Sequence, residues 1–185
     1  MRTGIFLQVR LDSQRLPRKA LLPLPYGNII QHAMRALKGI EADVYALLTD
    51  ENSEGTLRPF ATKEDFEMFI GPRDDVLKRY CLAARHFRVD HVIRATGDNP
   101  LVSAEMGRAI LSIHIREEAD LSHFIGLPLG TGGGTGSWRK TVRKDYACPK
   151  QRSVWIPRRI TPGYRRFIAT FTGVRLSILN LWCDG

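Results

Sequence analysis

The chain has 185 residues, 43% hydrophobic and 25% charged, the balance of an ordinary globular protein long enough to bury a sizeable core. No run of 18 or more apolar residues occurs, which excludes a spanning helix. The net charge of +9 is confined to the end of the chain: residues 1–132 carry 17 basic and 17 acidic side chains, residues 133–185 carry 11 and 2.

Trp138, Trp155 and Trp182 all lie in that last stretch, so two compositions join near Gly132. Residues 1–132 are expected to form one domain and residues 133–185 a basic tail. Cys81, Cys148 and Cys183 are odd in number, far apart and without a CxxC pair, which speaks against a disulfide framework and a cysteine-held zinc. Gln8 and Arg10 end the first apolar stretch too early for a signal peptide, so a cytoplasmic protein is expected.

In chain order, Gly4 to Val9 is short and apolar, as a buried parallel strand is. Arg10 to Leu24 is irregular, punctuated by Pro17 and Pro23. Ile29, Ile30, Ala33, Met34 and Leu37 recur at helical spacing, with Gly39 where the helix should stop. Val44 to Leu48 reads as a second buried strand. Residues 54–65 read as a short helix or a loop, and Phe66 to Ile70 as a third strand.

After Pro72, the residues Val76, Leu77, Tyr80, Ala83, Ala84 and Phe87 share one helical face, with Asp74 and Asp75 expected in the first turn. Cys81 falls among these apolar positions and reads as packing. His91 to Ala95 is a fourth strand, and Thr96-Gly97-Asp98-Asn99-Pro100 a turn. Ser103 followed by Met106, Ala109, Ile110 and Ile113 reads as a capped amphipathic helix. Strand and helix alternate throughout, which predicts an α/β class with a mostly parallel central sheet. Ligands of such sheets lie outside the carboxyl ends of the strands, which singles out the loops after Val9 and after Ala95.

The first of these loops carries Arg10, Arg15, Arg18 and Lys19 within ten residues. Backbone amides, fork-shaped guanidinium groups and a lysine point charge suit a triphosphate. No GxxxxGK[ST] pattern is present, and a solvated basic loop is the plainer reading. The second loop carries Asp98. A carboxylate at a strand end opposite a phosphate loop suits Mg²⁺, which takes one or two carboxylates, phosphate oxygens and water. The plainer reading is an aspartate capping its own turn. The five histidines lack ligand spacing and read as surface or core residues.

The string Gln8-x-Arg10-x-x-Ser13-x-Arg15-Leu16-Pro17-x-Lys19-x-Leu21-x-x-Leu24 resembles the opening signature of the cytidylyltransferases that activate acidic sugars. These are the acylneuraminate and deoxy-octulosonate enzymes and their spore-coat-polysaccharide relatives. Asp74-Asp75-Val76-Leu77-x-Arg79-Tyr80 is similar to the middle motif of that family, and Arg94-x-Thr96-Gly97-Asp98-x-Pro100-Leu101 to its metal-binding turn. The three motifs occur in order over residues 4–132.

The resemblance implies a three-layer nucleotide-diphospho-sugar-transferase-like fold. It implies Arg10 and Lys19 as catalytic residues holding the triphosphate, with Ser13 and Arg15 shaping the loop. Arg94 and Thr96 would lie near the base or ribose, and Asp98 would bind Mg²⁺. The implied reaction is transfer of CMP from CTP to a hydroxyl of a sugar or acidic sugar, expelling pyrophosphate, in surface polysaccharide synthesis. Two positions depart from the family, which usually has glycine where Arg18 stands and often where Asp12 stands.

Residues 119–132 still read as a family-like strand and loop. Beyond them the acids almost vanish, leaving Asp145 and Asp184. Three readings of the tail stay open: translation from a shifted frame, a divergent substrate or dimerisation region that would make a homodimer, or a basic nucleic-acid arm with interleaved Trp, Tyr and Phe. They leave three functions: the transferase, a remnant that binds nucleotide without turnover, and a nucleic-acid-binding protein.

Overall fold

A computed structural model describes residues 1–12, 16–119, 121–125, 137–141, 167–172 and 175–180. The strands are β1 (Thr3–Gln8), β2 (Pro23–Leu24), β3 (Gly27–Asn28), β4 (Val44–Thr49), β5 (Glu67–Ile70), β6 (His91–Thr96), β7 (Leu121–Ile125), β8 (Ser137–Thr141), β9 (Phe167–Thr172) and β10 (Arg175–Asn180). The helices are α1 (Ile29–Lys38), α2 (Glu51–Lys63), α3 (Val76–Phe87) and α4 (Ala104–Arg116), with a 3-10 turn at Lys19–Leu21.

One sheet runs in the order β5-β4-β1-β6-β9-β10-β7-β8, and β2 and β3 form a separate small hairpin. The pairs β5/β4, β4/β1, β1/β6 and β6/β9 are parallel, while β10 runs antiparallel to β9 and β7. Alternate residues of each central strand serve opposite faces, as the pleat requires. Ile5 and Leu7 of β1, Leu47 of β4 and Ile93 and Ala95 of β6 pack with Ile30, Ala33, Met34 and Leu37 of α1, Leu57 of α2 and Ile110 of α4. Phe6, Ala46, Leu48 and Val92 face the other way, onto Tyr80, Ala83 and Ala84 of α3. The protein is therefore a three-layer α/β structure with a mostly parallel central sheet, as the alternation of patterns predicts.

The helix starts follow capping chemistry. Asn28 accepts from Gln31 N at 3.0 Å, Asp50 from Ser53 N at 2.9 Å and Ser103 from Met106 N at 3.2 Å. Asp75 differs from expectation: it is the cap of α3, accepting from Lys78 N at 2.8 Å, and Asp74 lies before the helix instead of in its first turn. The segment read as helix or loop at 54–65 is the body of α2.

Beyond β1 the chain passes to β4 on one side, and later to β6 on the other. The junction of β1 with β6 is thus where the order of the sheet reverses, the position at which open α/β sheets leave a crevice at their carboxyl edge. Among the described residues no helix is long and apolar enough to cross a membrane.

Candidate active site

At that edge β1 ends in Gln8 and β6 in Thr96, and the loops that follow are stitched together. Gly97 N donates to Gln8 O at 3.0 Å, and Val9 N donates to Leu48 O at 3.0 Å. A Cβ at position 97 would fall onto the Val9 side chain, so only glycine allows the two loops to meet this closely. A cavity of about 560 Å³ opens above the junction.

The loop after β1 folds back on itself before the 3-10 turn. Arg18 N donates to Leu11 O at 3.0 Å, and Leu21 N to Arg18 O at 2.8 Å. Arg18 itself adopts left-handed backbone angles, φ 54° and ψ 23°. A side chain at those angles adds about 1–2 kcal/mol of local strain. The Arg18 side chain is exposed and does not line the cavity. Ala20 is buried and anchors the turn, leaving Lys19 aimed into the cavity.

Lys19 Nζ forms an ion pair with Asp98 Oδ2 across the cavity. Burial raises the Asp98 carboxyl, but hydrogen bonds from Lys19 and Thr96 outweigh it and hold the group below the ordinary carboxylate range. Asp98 is therefore an anion facing the cleft. In the same turn Asn99 Oδ1 accepts from Leu101 N at 3.1 Å.

Arg94 lies 5.6 Å from the centroid of the Tyr80 ring, a cation–π distance. Tyr80 is buried beneath it, its hydroxyl donating weakly to Phe6 O at 3.5 Å and Ala95 O at 3.4 Å. Burial pushes the phenol up to about 12, against the opposing pull of Arg94.

The cavity thus gathers Arg10, Lys19, Arg94, Thr96 and Asp98, all selected from the sequence, on the carboxyl ends of two adjacent strands. Ser13 and Arg15 lie outside the described residues. Sequence reasoning missed the contribution of a third loop, between β5 and α3. Arg73 from that loop lines the cavity and grips Asp12: its Nε donates to Asp12 Oδ2 at 3.0 Å, and its Nη2 contacts the same oxygen. Arg10 Nε adds a longer contact with Asp12 Oδ1 at 3.7 Å. The hydrogen bond from Arg73 holds the Asp12 carboxyl low against its slight burial, helped by the charge of Arg10. The negative charge placed beside the site is thereby neutralised within the protein. A sequence signal existed, since an aspartate inside a loop so rich in basic residues is expected to pair with a cation.

Four basic and three acidic side chains line the cavity, so it is close to neutral as it stands. A triphosphate would exceed the charge available to it. That excess, together with an ionised carboxylate and oxygen ligands only, fits a divalent cation arriving with the nucleotide. Among the described residues no cluster of three or more metal-ligating side chains exists to hold a cation alone.

The chain is 29% identical over 133 residues to the spore coat polysaccharide biosynthesis protein SpsF of Bacillus subtilis (strain 168), over 69% of this chain and 55% of that protein. Among solved structures it is similar to a cytidylyltransferase from Leptospira borgpetersenii serovar Hardjo-bovis, with 28% identity and a TM-score of 0.62 over 66% of this chain and 52% of that one. A CMP:2-keto-3-deoxy-manno-octonic acid synthetase complexed with CTP shares the fold, with 19% identity and a TM-score of 0.57 over 68% and 54% of the two chains. The chain spans about half the length of these relatives. The cytidylyltransferase family model matches residues 5–147, six strands of the large sheet, the cleft and both of its facing loops included. This chain belongs to the cytidylyltransferase family.

Proposed function

We propose that this protein binds CTP in the cleft between β1 and β6 and transfers CMP to a hydroxyl of a sugar or acidic sugar, releasing pyrophosphate, as a step in surface polysaccharide synthesis. The observation that carries this reading is the juxtaposition of Lys19 and Asp98 across one cavity, with Arg10 on its rim. Triphosphate oxygens compete for Lys19 Nζ and free the Asp98 carboxylate as they enter.

In this reading Arg10 and Lys19 hold the triphosphate, and Ser13 and Arg15 shape the loop around it. Arg94 and Thr96 flank the base or ribose, and Asp98 holds Mg²⁺. The metal supplies charge neutralisation on phosphoryl oxygens. The protein's own residues position the α-phosphorus for in-line attack by the sugar hydroxyl. A new P–O bond forms as the α–β anhydride breaks, the hydroxyl proton passes to solvent, and Arg10 and Lys19 stabilise the departing pyrophosphate. Positioning and fixed charge provide most of the acceleration in such transfers.

The test is pyrophosphate release in the presence of Mg²⁺, each of the four nucleoside triphosphates in turn, and a panel of neutral and acidic sugars. Release with CTP alone is expected. Thermal protection by CTP without release would make the protein a nucleotide-binding remnant. Neither effect, with salt-sensitive binding to polynucleotides, would replace the reading with a nucleic-acid role.

A further inference from the structure

Arg10 is not held by its own loop alone. Its Nη1 donates to the Arg73 carbonyl oxygen at 2.8 Å. The same oxygen accepts from Arg79 Nη2, also at 2.8 Å, and that nitrogen contacts the Pro72 carbonyl as well. One backbone oxygen therefore joins two guanidinium groups, one from the loop after β1 and one from α3.

Arg79 is fully buried. Burial pushes its pKa below the ordinary arginine range, with the charge of Asp50 opposing and that of Arg10 reinforcing the shift. Its Nε and Nη1 have no hydrogen-bond partner among the described residues. A buried cation so incompletely partnered is unfavourable for stability, and an apolar side chain of similar length would fill the space better. Its arrangement therefore calls for a reason other than core packing.

The backbone above it is tightly built. Gly71 N donates to Thr49 O at 3.0 Å, and a Cβ at position 71 would approach Arg79 Cγ to 2.8 Å. The arginine stem runs directly under the start of the 71–75 loop and its head binds two carbonyls of that loop.

We propose that Arg79 is a positioning residue: it fixes the loop between β5 and α3, and through the Arg73 carbonyl it sets the Arg10 guanidinium for the triphosphate. The role rests on the reading of the cleft as a CTP site. Two guanidinium groups on one oxygen repel each other, and an entering polyanion relieves that repulsion at Arg10. The arrangement thus gives up stability without nucleotide and returns it on binding.

The experiment is a double-mutant cycle read by CTP titration with Mg²⁺, with Tm recorded for every variant. Arg79→Lys keeps the charge and cannot span both carbonyls. It is expected to weaken CTP by about tenfold in the native background, and by less than about twofold when Arg10→Ala is already present. Gly71→Ala, which presses on the Arg79 stem, is expected to show the same dependence on Arg10. It answers the question if Arg79→Lys does not fold. Equal losses in both backgrounds, or no loss in the native one, overturn the positioning role while leaving the site intact. Arg10→Ala without effect on CTP overturns the site reading, and this role with it.

Discussion

Lys19 and Asp98 illustrate how differently one contact weighs on stability and on binding. Both side chains are more than a third exposed, and ion pairs of that kind contribute about 0–1 kcal/mol to folding. A lysine on a phosphate makes charge-assisted hydrogen bonds worth about 1.5–3 kcal/mol each. Lys19→Ala is therefore expected to weaken CTP binding by about 10- to 100-fold while changing stability by less than about 1 kcal/mol. Calorimetric titration beside a denaturation curve checks both numbers, and unchanged affinity would remove Lys19 from the site. At this scale much of the cleft was legible: Arg10, Lys19 and Asp98 lie in loops after strands that the apolar runs reveal, and the family resemblance added Arg94 and Thr96. Arg73 was not. Its partner Asp12 is 61 positions away, and only the fold brings β5 and β1 to the same edge.

Helix α2 shows why one element was left between helix and loop. It carries Gly55, which is entropically unfavourable in a helix, and Pro59, which lacks the N–H that would bond to the Gly55 carbonyl and crowds it. The pattern wins because the ends are good. Asp50 caps the first turn, Glu51 and Glu54 lie at the positive end of the helix, and Leu57 and Ala61 are buried. Arg58 pairs with Glu54 one turn away. Propensity summed over the segment hides a helix that tertiary burial enforces. Nothing lies within 4 Å of a Cβ added at Gly55. Gly55→Ala is thus expected to stabilise the protein by about 0.5–1 kcal/mol, raising Tm by roughly 2 °C in a chain of this size. Differential scanning calorimetry checks it, and a lower Tm would show that the helix needs glycine beside the proline.

Across the whole molecule, the order β5-β4-β1-β6 follows from alternating strands and helices joined by short connections. The neighbour of β6 does not: β9 begins more than seventy residues after β6 ends, and no local pattern encodes so distant a pairing. The connection between the cleft-bearing strands and β7 is instead visible in a buried histidine pair. His91 opens β6 and His114 lies on α4, their rings 5.5 Å apart and nearly perpendicular, and His114 Nδ1 is 2.9 Å from Ser122 Oγ on β7. Burial, and secondarily His91, pushes His114 down to about 3. Burial also lowers His91, with Asp90 opposing and the amino terminus assisting. The His114 ring is thus neutral in the folded protein at pH 6, where in the unfolded chain it binds protons, and His91 is shifted in the same direction. The sign follows: stability is complete above the unfolded pKa of about 6.5 and falls as pH drops through it toward the folded value. At pH 5 the His114 contribution to that loss is about 2 kcal/mol. Asp12, Glu64, Asp65 and Asp98, all held low, add their own losses only at more acidic pH. Urea denaturation of the native protein and of His114→Asn at pH 7.5 and pH 5 separates the two effects. The variant is expected to lose about 2 kcal/mol less between those pH values, and equal losses in both proteins would mean that the His114 ring is protonated or solvated in the fold.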